Sequence, residues 1–172
     1  MSSKFSKETL EIINQMIARY PEGKHKSALI PVLHLAQAEF GGWLSTETMD
    51  HVAEVLQLKP IEVYEVASFY SMFNLKPVGK CVLEVCHTGP CAINGAEDLV
   101  KYLEQKLNIK VGETTADGMF TLKEVECLGS CGTAPMLQCG RDYFENLTNE
   151  KVDTMLENMK SENRLRSYVD TI

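Results

Sequence analysis

The chain has 172 residues, 44% of them apolar and 24% charged, which suits one domain or two small ones with a real core and excludes a disordered chain. Lys and Arg total 17 against 24 Asp and Glu, a formal charge of −7; nucleic acid and anionic lipid surfaces are therefore poor ligands, since both call for clustered cations. No apolar run nears the ~20 residues that span a bilayer, and the N-terminal MSSKFSKETLEII has neither a signal core nor an Arg-rich transit pattern. A cytoplasmic chain without direct membrane insertion is expected, held at a membrane only through other subunits.

Residues 1–77 contain no cysteine and read as helices. Ser6 suits the N-cap of a first helix with Leu10, Ile13, Met16, Ile17 and Tyr20 on one face, ended by Pro21, Glu22 and Gly23. Ser27 suits the cap of a second, with Pro31 tolerated in its first turn and Gly41-Gly42 stopping it at Phe40. Ser45 opens a third, carrying Met49, Val52, Ala53 and Leu56, and Pro60 sits at the first position of a fourth, carrying Ile61, Val63, Tyr64, Val66 and Ala67. Short helices of this kind need tertiary packing to persist. The Phe69-Tyr70-x-Met72-Phe73 cluster reads either as core or as a docking face.

The pattern changes after Pro77. Lys80 to Cys86 reads as a strand, HTGPC as a turn, and Ala92 to Leu107 as a helix with Leu99, Leu103 and Leu107 on one side. Met119 to Val125 alternates like a strand, CLGSCGTAP is a Gly-rich loop, and Pro135 to Cys139 leads into a third strand. The order is β-α-β-β-α after the helical prefix, with Arg141 to Phe144 a further strand candidate and Asn149 to Lys160 the last helix. The tail from Ser161 is polar and reads as a mobile end.

Four of the six cysteines form two local pairs, Cys86-x4-Cys91 and Cys127-x3-Cys131, each in a glycine-containing loop after a predicted strand. In a reducing compartment such pairs point to metal or redox chemistry rather than disulfides. Cys91 is placed at the start of a predicted helix, where an anion is stabilised, and Gly89, Gly129 and Gly132 allow backbone amides to approach sulfur. Spacing alone leaves an iron–sulfur cluster, a zinc ion and unligated structural thiols all open. Cys81 and Cys139 fall inside strands and read as small buried hydrophobes; His87 reads as a loop residue. A thioredoxin-type C-x-x-C, a G-x-G-x-x-G after a strand and a Walker-type loop do not occur in the sequence.

The stretch EVCHTGPCAINGAEDLVKYLEQKLNIKVGETTADGMFTLKEVECLGSCGTAPMLQ, with GGWLSTETMDHVAEVL, VYEVASFYSMF and PVGK upstream, resembles the 24 kDa-type [2Fe–2S] subunit of NADH:quinone oxidoreductase (respiratory complex I). The similarity spans roughly residues 10–160. It implies an α+β fold: a small helical bundle over residues 1–77 that docks on a partner, then a thioredoxin-like [2Fe–2S] ferredoxin domain over 78–172, with Ala134-Pro135 as a cis peptide. It implies that Cys86, Cys91, Cys127 and Cys131 hold one [2Fe–2S] cluster. It also implies that a partner flavoprotein subunit carries FMN and binds NAD(H), so that the chain exchanges single electrons and is not catalytic alone. Equivalent subunits of NAD-linked hydrogenases and formate dehydrogenases share these motifs. A structural zinc protein is the rival from another class.

Overall fold

The computed structural model describes residues 4–169, and the chain divides at the predicted change of composition. One unit runs to Pro77 and takes in the segment from Ser167; the other is Val78–Arg166. The described residues from Ser167 thus group with the first unit, outside the stretch that pairs with the sheet.

In the first unit, α1 (Lys7–Ile17) starts as the sequence predicts, with the Ser6 side chain accepting from the Thr9 N–H at 3.2 Å. It ends sooner, so Tyr20 lies in the following turn and is exposed. The predicted cap at Ser27 is not formed. His25–Ala28 is a 3-10 turn running straight into α2 (Leu29–Glu39), so the turn's own carbonyls take over part of the capping. Leu29, Val32, Leu33, Leu35 and Ala36 are all buried, which makes α2 the most enclosed helix of the bundle. Burying each Leu fully contributes ~1.5–3 kcal/mol. The buried Gln37 is satisfied: it donates to the Met72 carbonyl at 3.0 Å and accepts from the Asn74 N–H at 2.7 Å. Helix α3 (Thr46–Val55) is capped by Ser45, which accepts from the Thr48 N–H at 3.1 Å. Helix α4 (Pro60–Phe69) begins at proline, with Glu62 accepting from the Lys59 N–H at 3.1 Å. Val52, Ala53, Leu56, Val63 and Ala67 close the core against α2. The aromatic cluster splits. Phe73 is core, its ring 4.9 Å from that of His34, whereas Phe69 is 79% exposed and stacks edge-on with Tyr70.

The second unit is a four-stranded sheet in the order β2-β1-β3-β4, with β1 (Cys81–Cys86), β2 (Phe120–Val125), β3 (Leu137–Cys139) and β4 (Asp142–Phe144). β1 and β2 are parallel in a register running from Cys81↔Phe120 to Cys86↔Val125; β3 and β4 are antiparallel neighbours. The parallel pair requires a crossover, and the chain makes it with two helices. HTGPC is not a plain turn: Gly89–Ile93 forms a one-turn helix, α5, and Asn94-Gly95 separates it from α6 (Ala96–Leu107). Gly95 has φ +92°, a backbone shape that residues with a Cβ resist, so one continuous helix from Ala92 cannot form. Leu99 and Leu103 of α6 and Val152, Met155, Leu156 and Met159 of α7 (Asn149–Glu162) pack with Leu83, Phe120, Leu122 and Leu137. Cys81 and Cys139 lie fully buried in this core. The Ala134-Pro135 peptide is cis, as the resemblance implies.

The polar end is anchored rather than mobile over its described part. The Arg166 N–H donates to the Lys80 carbonyl at 2.8 Å, and the guanidinium pairs with Glu162 at 2.8 Å and with Asp142. Its polarity therefore reflects ion pairing as well as solvation.

Candidate metal centre

Parallel pairing explains why the two cysteine loops meet. Because Cys86 is in register with Val125, β1 and β2 end at the same sheet edge, and the loops that follow leave from adjacent points. The His87 N–H donates to the Val125 carbonyl at 3.3 Å, extending the ladder one step into the loops. Leu128, in the second loop, packs against Cys86 and Cys91 of the first, and its backbone is among the groups that lower the Cys86 pKa.

The first loop is enclosed. Cys86 and Cys91 are each 2% exposed and pack with Ala96 and Met136. Cys91 does not sit at the start of the long helix; it lies inside α5, with its N–H bonded to the Thr88 carbonyl at 2.9 Å. The macrodipole of α6 therefore starts beyond it, at Ala96. The Thr88 hydroxyl lies 3.7 Å from Cys86 Sγ. The second loop is open: Cys127 and Cys131 are both exposed. Gly129, at φ +78°, brings its N–H to 3.4 Å from Cys127 Sγ, one of the close approaches that the glycines suggest. Gly132 has ordinary backbone geometry, and His87 is exposed.

The thiols influence one another within the sequence-local pairs, Cys86 with Cys91 and Cys127 with Cys131. Burial pushes the Cys86 thiol up, but bonds from the Leu128 and Thr88 backbones, the Thr88 hydroxyl and Cys91 outweigh it and leave its pKa below the ordinary value. Cys91 is pushed up to about 11 by burial, by its bond to Cys86 and by the charges of Cys86, Cys131 and Cys127. The Cys131 thiol is raised chiefly by the charge of Cys127. All four sulfurs thus lie within electrostatic reach of one another, and four thiolates would stand together here only beside a cationic centre.

This donor set fits a two-iron cluster, which takes thiolates two from each side. It is soft throughout, it arrives as two pairs, and backbone N–H groups already point at sulfur. Among the described residues no three His, Cys, Asp or Glu side chains gather about a single ion position. Several residues around the two cysteine loops escape a reading of the sequence: Thr88, Leu128, Met136, Tyr143 and Glu145. The one usable signal for the last two is the β3–β4 hairpin, whose return past Gly140 carries the residues after β4 back alongside the loop before β3.

A profile of the family described as thioredoxin-like [2Fe-2S] ferredoxin matches residues 13–160. The chain is 46% identical over 153 residues to the NADH-quinone oxidoreductase E subunit of Rickettsia felis, covering 89% of this chain and 92% of that protein. It is 44% identical over 157 residues to the mitochondrial NADH dehydrogenase [ubiquinone] flavoprotein 2 of Dictyostelium discoideum, covering 91% of this chain and 64% of that one. Among solved structures, an NAD+-reducing [NiFe]-hydrogenase in the H2-reduced state superposes with a TM-score of 0.68 at 21% identity, over 78% of this chain and 22% of the other. That likeness concerns the fold. No helix among the described residues is long and apolar enough to cross a membrane.

Proposed function

The chain belongs to the thioredoxin-like [2Fe-2S] ferredoxin family, and from that premise we propose that it is the electron-transfer subunit of the NADH dehydrogenase module of a respiratory NADH:quinone oxidoreductase. The observation that carries this reading is the junction of the two cysteine loops at one sheet edge, where β1 and β2 end in register and Leu128 of the second loop packs against Cys86 and Cys91 of the first. Cys86 and Cys91 hold one iron of a single [2Fe–2S] cluster, and Cys127 and Cys131 hold the other. Such a cluster, when bound, takes up and gives back one electron at a time.

The residues divide the remaining work. Cys86, Cys91, Ala96 and Met136 exclude water from one side. The exposed pair, Cys127 and Cys131, faces the exchange partner, and Ile93 in the first loop is itself 87% exposed. Acidic Glu124 and Glu126 near the second pair oppose added negative charge, while N–H bonds to sulfur favour it.

NADH gives up two electrons as a hydride, so a converter is needed. The partner is a flavoprotein subunit carrying FMN and binding NAD(H), and exposed Phe69 and Tyr70 belong to the docking surface of the helical unit. The complex holds the chain peripherally at the inner face of the cell membrane, on the cytoplasmic side.

The test is spectroscopic. The purified chain is red-brown, shows a [2Fe–2S] EPR signal after dithionite, and is reduced by NADH only when the flavoprotein is added. A colourless zinc-loaded chain, or rapid bleaching by NADH with no flavoprotein present, defeats the proposal.

A further inference from the structure

The open cysteine loop is held from outside by the residues that follow β4. The Tyr143 hydroxyl donates to the Leu128 carbonyl at 2.6 Å. One Glu145 carboxylate oxygen accepts from the Ser130 hydroxyl and, at 2.6 Å, from the Thr133 hydroxyl; those two hydroxyls lie 2.7 Å apart. The Asn146 N–H donates to the Thr133 carbonyl at 2.7 Å and the Leu147 N–H to the Pro135 carbonyl at 3.0 Å. Within the loop, the Thr133 N–H closes on the Ser130 carbonyl at 3.1 Å. The attachment points, Leu128, Ser130, Thr133 and Pro135, bracket Cys131 and follow directly on Cys127.

Nothing equivalent is needed in the first loop, which packing immobilises. The second loop is packed less: of its residues, the partly buried Leu128 and Ala134 pack against the Cys86, Cys91, Ala96 and Met136 group, while Cys127 and Cys131 are exposed, and fixing exposed backbone costs ~1–2 kcal/mol per residue. Tyr143 and Glu145 both border an open groove of about 530 Å³, lined also by Leu147, Lys151 and Met155. Their hold on the loop is through polar contacts, added to the packing of Leu128 and Ala134. One Glu145 carboxylate oxygen lies within hydrogen-bond reach of both hydroxyls, and the Thr133 hydroxyl also has the Ser130 carbonyl at 3.1 Å, so these contacts together close the turn between the two residues.

We propose that Glu145 and Tyr143 are positioning residues for the ligand pair Cys127 and Cys131, holding residues 128–133 in the shape that directs both sulfurs at one iron. This rests on the four-cysteine cluster of the proposed function. Glu145 acts through Ser130 and Thr133; Tyr143 acts through the Leu128 carbonyl, whose own residue packs against the hydrophobic group containing Cys86. The clamp therefore bears on the relation between the two loops as well as on the second loop alone.

The experiment uses the full chain with its cluster, as wild type, Glu145→Ala, Glu145→Gln and Tyr143→Phe. Iron content, the EPR line shape of the reduced protein, and the rate of iron release to a chelator are measured for each. Glu145→Ala is expected to release iron about fivefold faster and to broaden the signal, and Tyr143→Phe about threefold faster, as the loss of exposed polar tethers implies. Glu145→Gln offers an amide oxygen to the same hydroxyls, so it restores the line shape and brings release to within about twofold of wild type. Its midpoint potential rises, because one negative charge near the second pair is gone.

Wild-type release and line shape in both Glu145→Ala and Tyr143→Phe overturn the proposal, as does a Gln variant no better than the Ala variant. If Glu145→Ala fails to fold, the conservative Tyr143→Phe decides. Failure of the underlying reading looks different: the wild-type chain carries no [2Fe–2S] signal, or Cys127→Ser keeps it.

Discussion

The two cysteine loops reach one sheet edge by different means. The first is fixed by exclusion of water: Cys86 and Cys91 are buried with Ala96 and Met136, and a one-turn helix folds over them. The second is held largely by hydrogen bonds at the surface: its thiols are exposed, Tyr143, Asn146 and Leu147 tether its backbone, and Glu145 its Ser130 and Thr133 hydroxyls. A centre that passes electrons to another protein benefits from this asymmetry. One half is insulated and rigid, and the other brings sulfur close to whatever docks.

The largest effect expected separates ligand cysteines from core cysteines. Serine at Cys86 or Cys127 loses or strongly alters the [2Fe–2S] EPR signal and the bound iron, whichever loop it sits in. Serine at Cys81 or Cys139 keeps both. Those two free thiols lie fully buried in the same sheet core, so a hydroxyl there costs ~1–3 kcal/mol of stability while leaving the centre alone. An unchanged EPR signal in Cys127→Ser would remove the surface loop from the site and leave only the buried one.

The contrast in burial predicts a contrast in stability. Met136 is fully buried against Cys86 and Cys91, whereas Leu128 is only partly buried. Met136→Ala is expected to cost ~3 kcal/mol and Leu128→Ala ~1 kcal/mol, read from urea midpoints. Equal costs would mean that packing holds both loops.

That asymmetry is also where the sequence stops being informative. The ligand cysteines, the parallel strands and the serine caps at Ser6 and Ser45 are local signals: spacing, period and a hydroxyl before an apolar run. The long helix beyond Cys91 reads as continuous because Asn94-Gly95 costs little in a helical pattern; only the left-handed φ of Gly95 shows that the chain breaks there. Ser27 looks like a cap because local chemistry does not reveal the 3-10 turn that replaces one. The tether from Glu145 to Thr133 depends on a hairpin returning past a loop 12 residues earlier, and no periodicity records that. Arg166 reads as solvated for the same reason: its partner Asp142 is distant in sequence.

Within the surface loop, Gly129 allows a backbone-only test. An added Cβ at Gly129 meets nothing within 4 Å, and its φ is +78°. The cost of Gly129→Ala is therefore conformational, ~1–2 kcal/mol, with no packing contribution. The same strain pulls its N–H away from Cys127 Sγ. A thermal melt should show the loss of stability, and the EPR signal should shift while remaining present. A neutral substitution would mean that the loop does not hold that backbone shape in solution.

The smallest effect expected belongs to the buried loop and tests insulation directly. The Thr88 hydroxyl lies 3.7 Å from Cys86 Sγ, a long bond worth ~0.5 kcal/mol at most. Thr88→Val keeps the shape and removes the donor. A donor to sulfur stabilises the more negative, reduced state, so its loss lowers the midpoint potential. For one electron, ~0.5 kcal/mol corresponds to about 20 mV. Around Cys86, 2% exposed, water cannot readily take the hydroxyl's place, so the shift should survive intact. A donor lost from an exposed sulfur such as Cys127 is replaced by solvent, and the same change in hydrogen bonding there should be muted. An EPR-monitored redox titration of Thr88→Val reads the difference. A midpoint that stays put or rises would mean that water already reaches Cys86, and the division into a dry half and a wet half would fall with it.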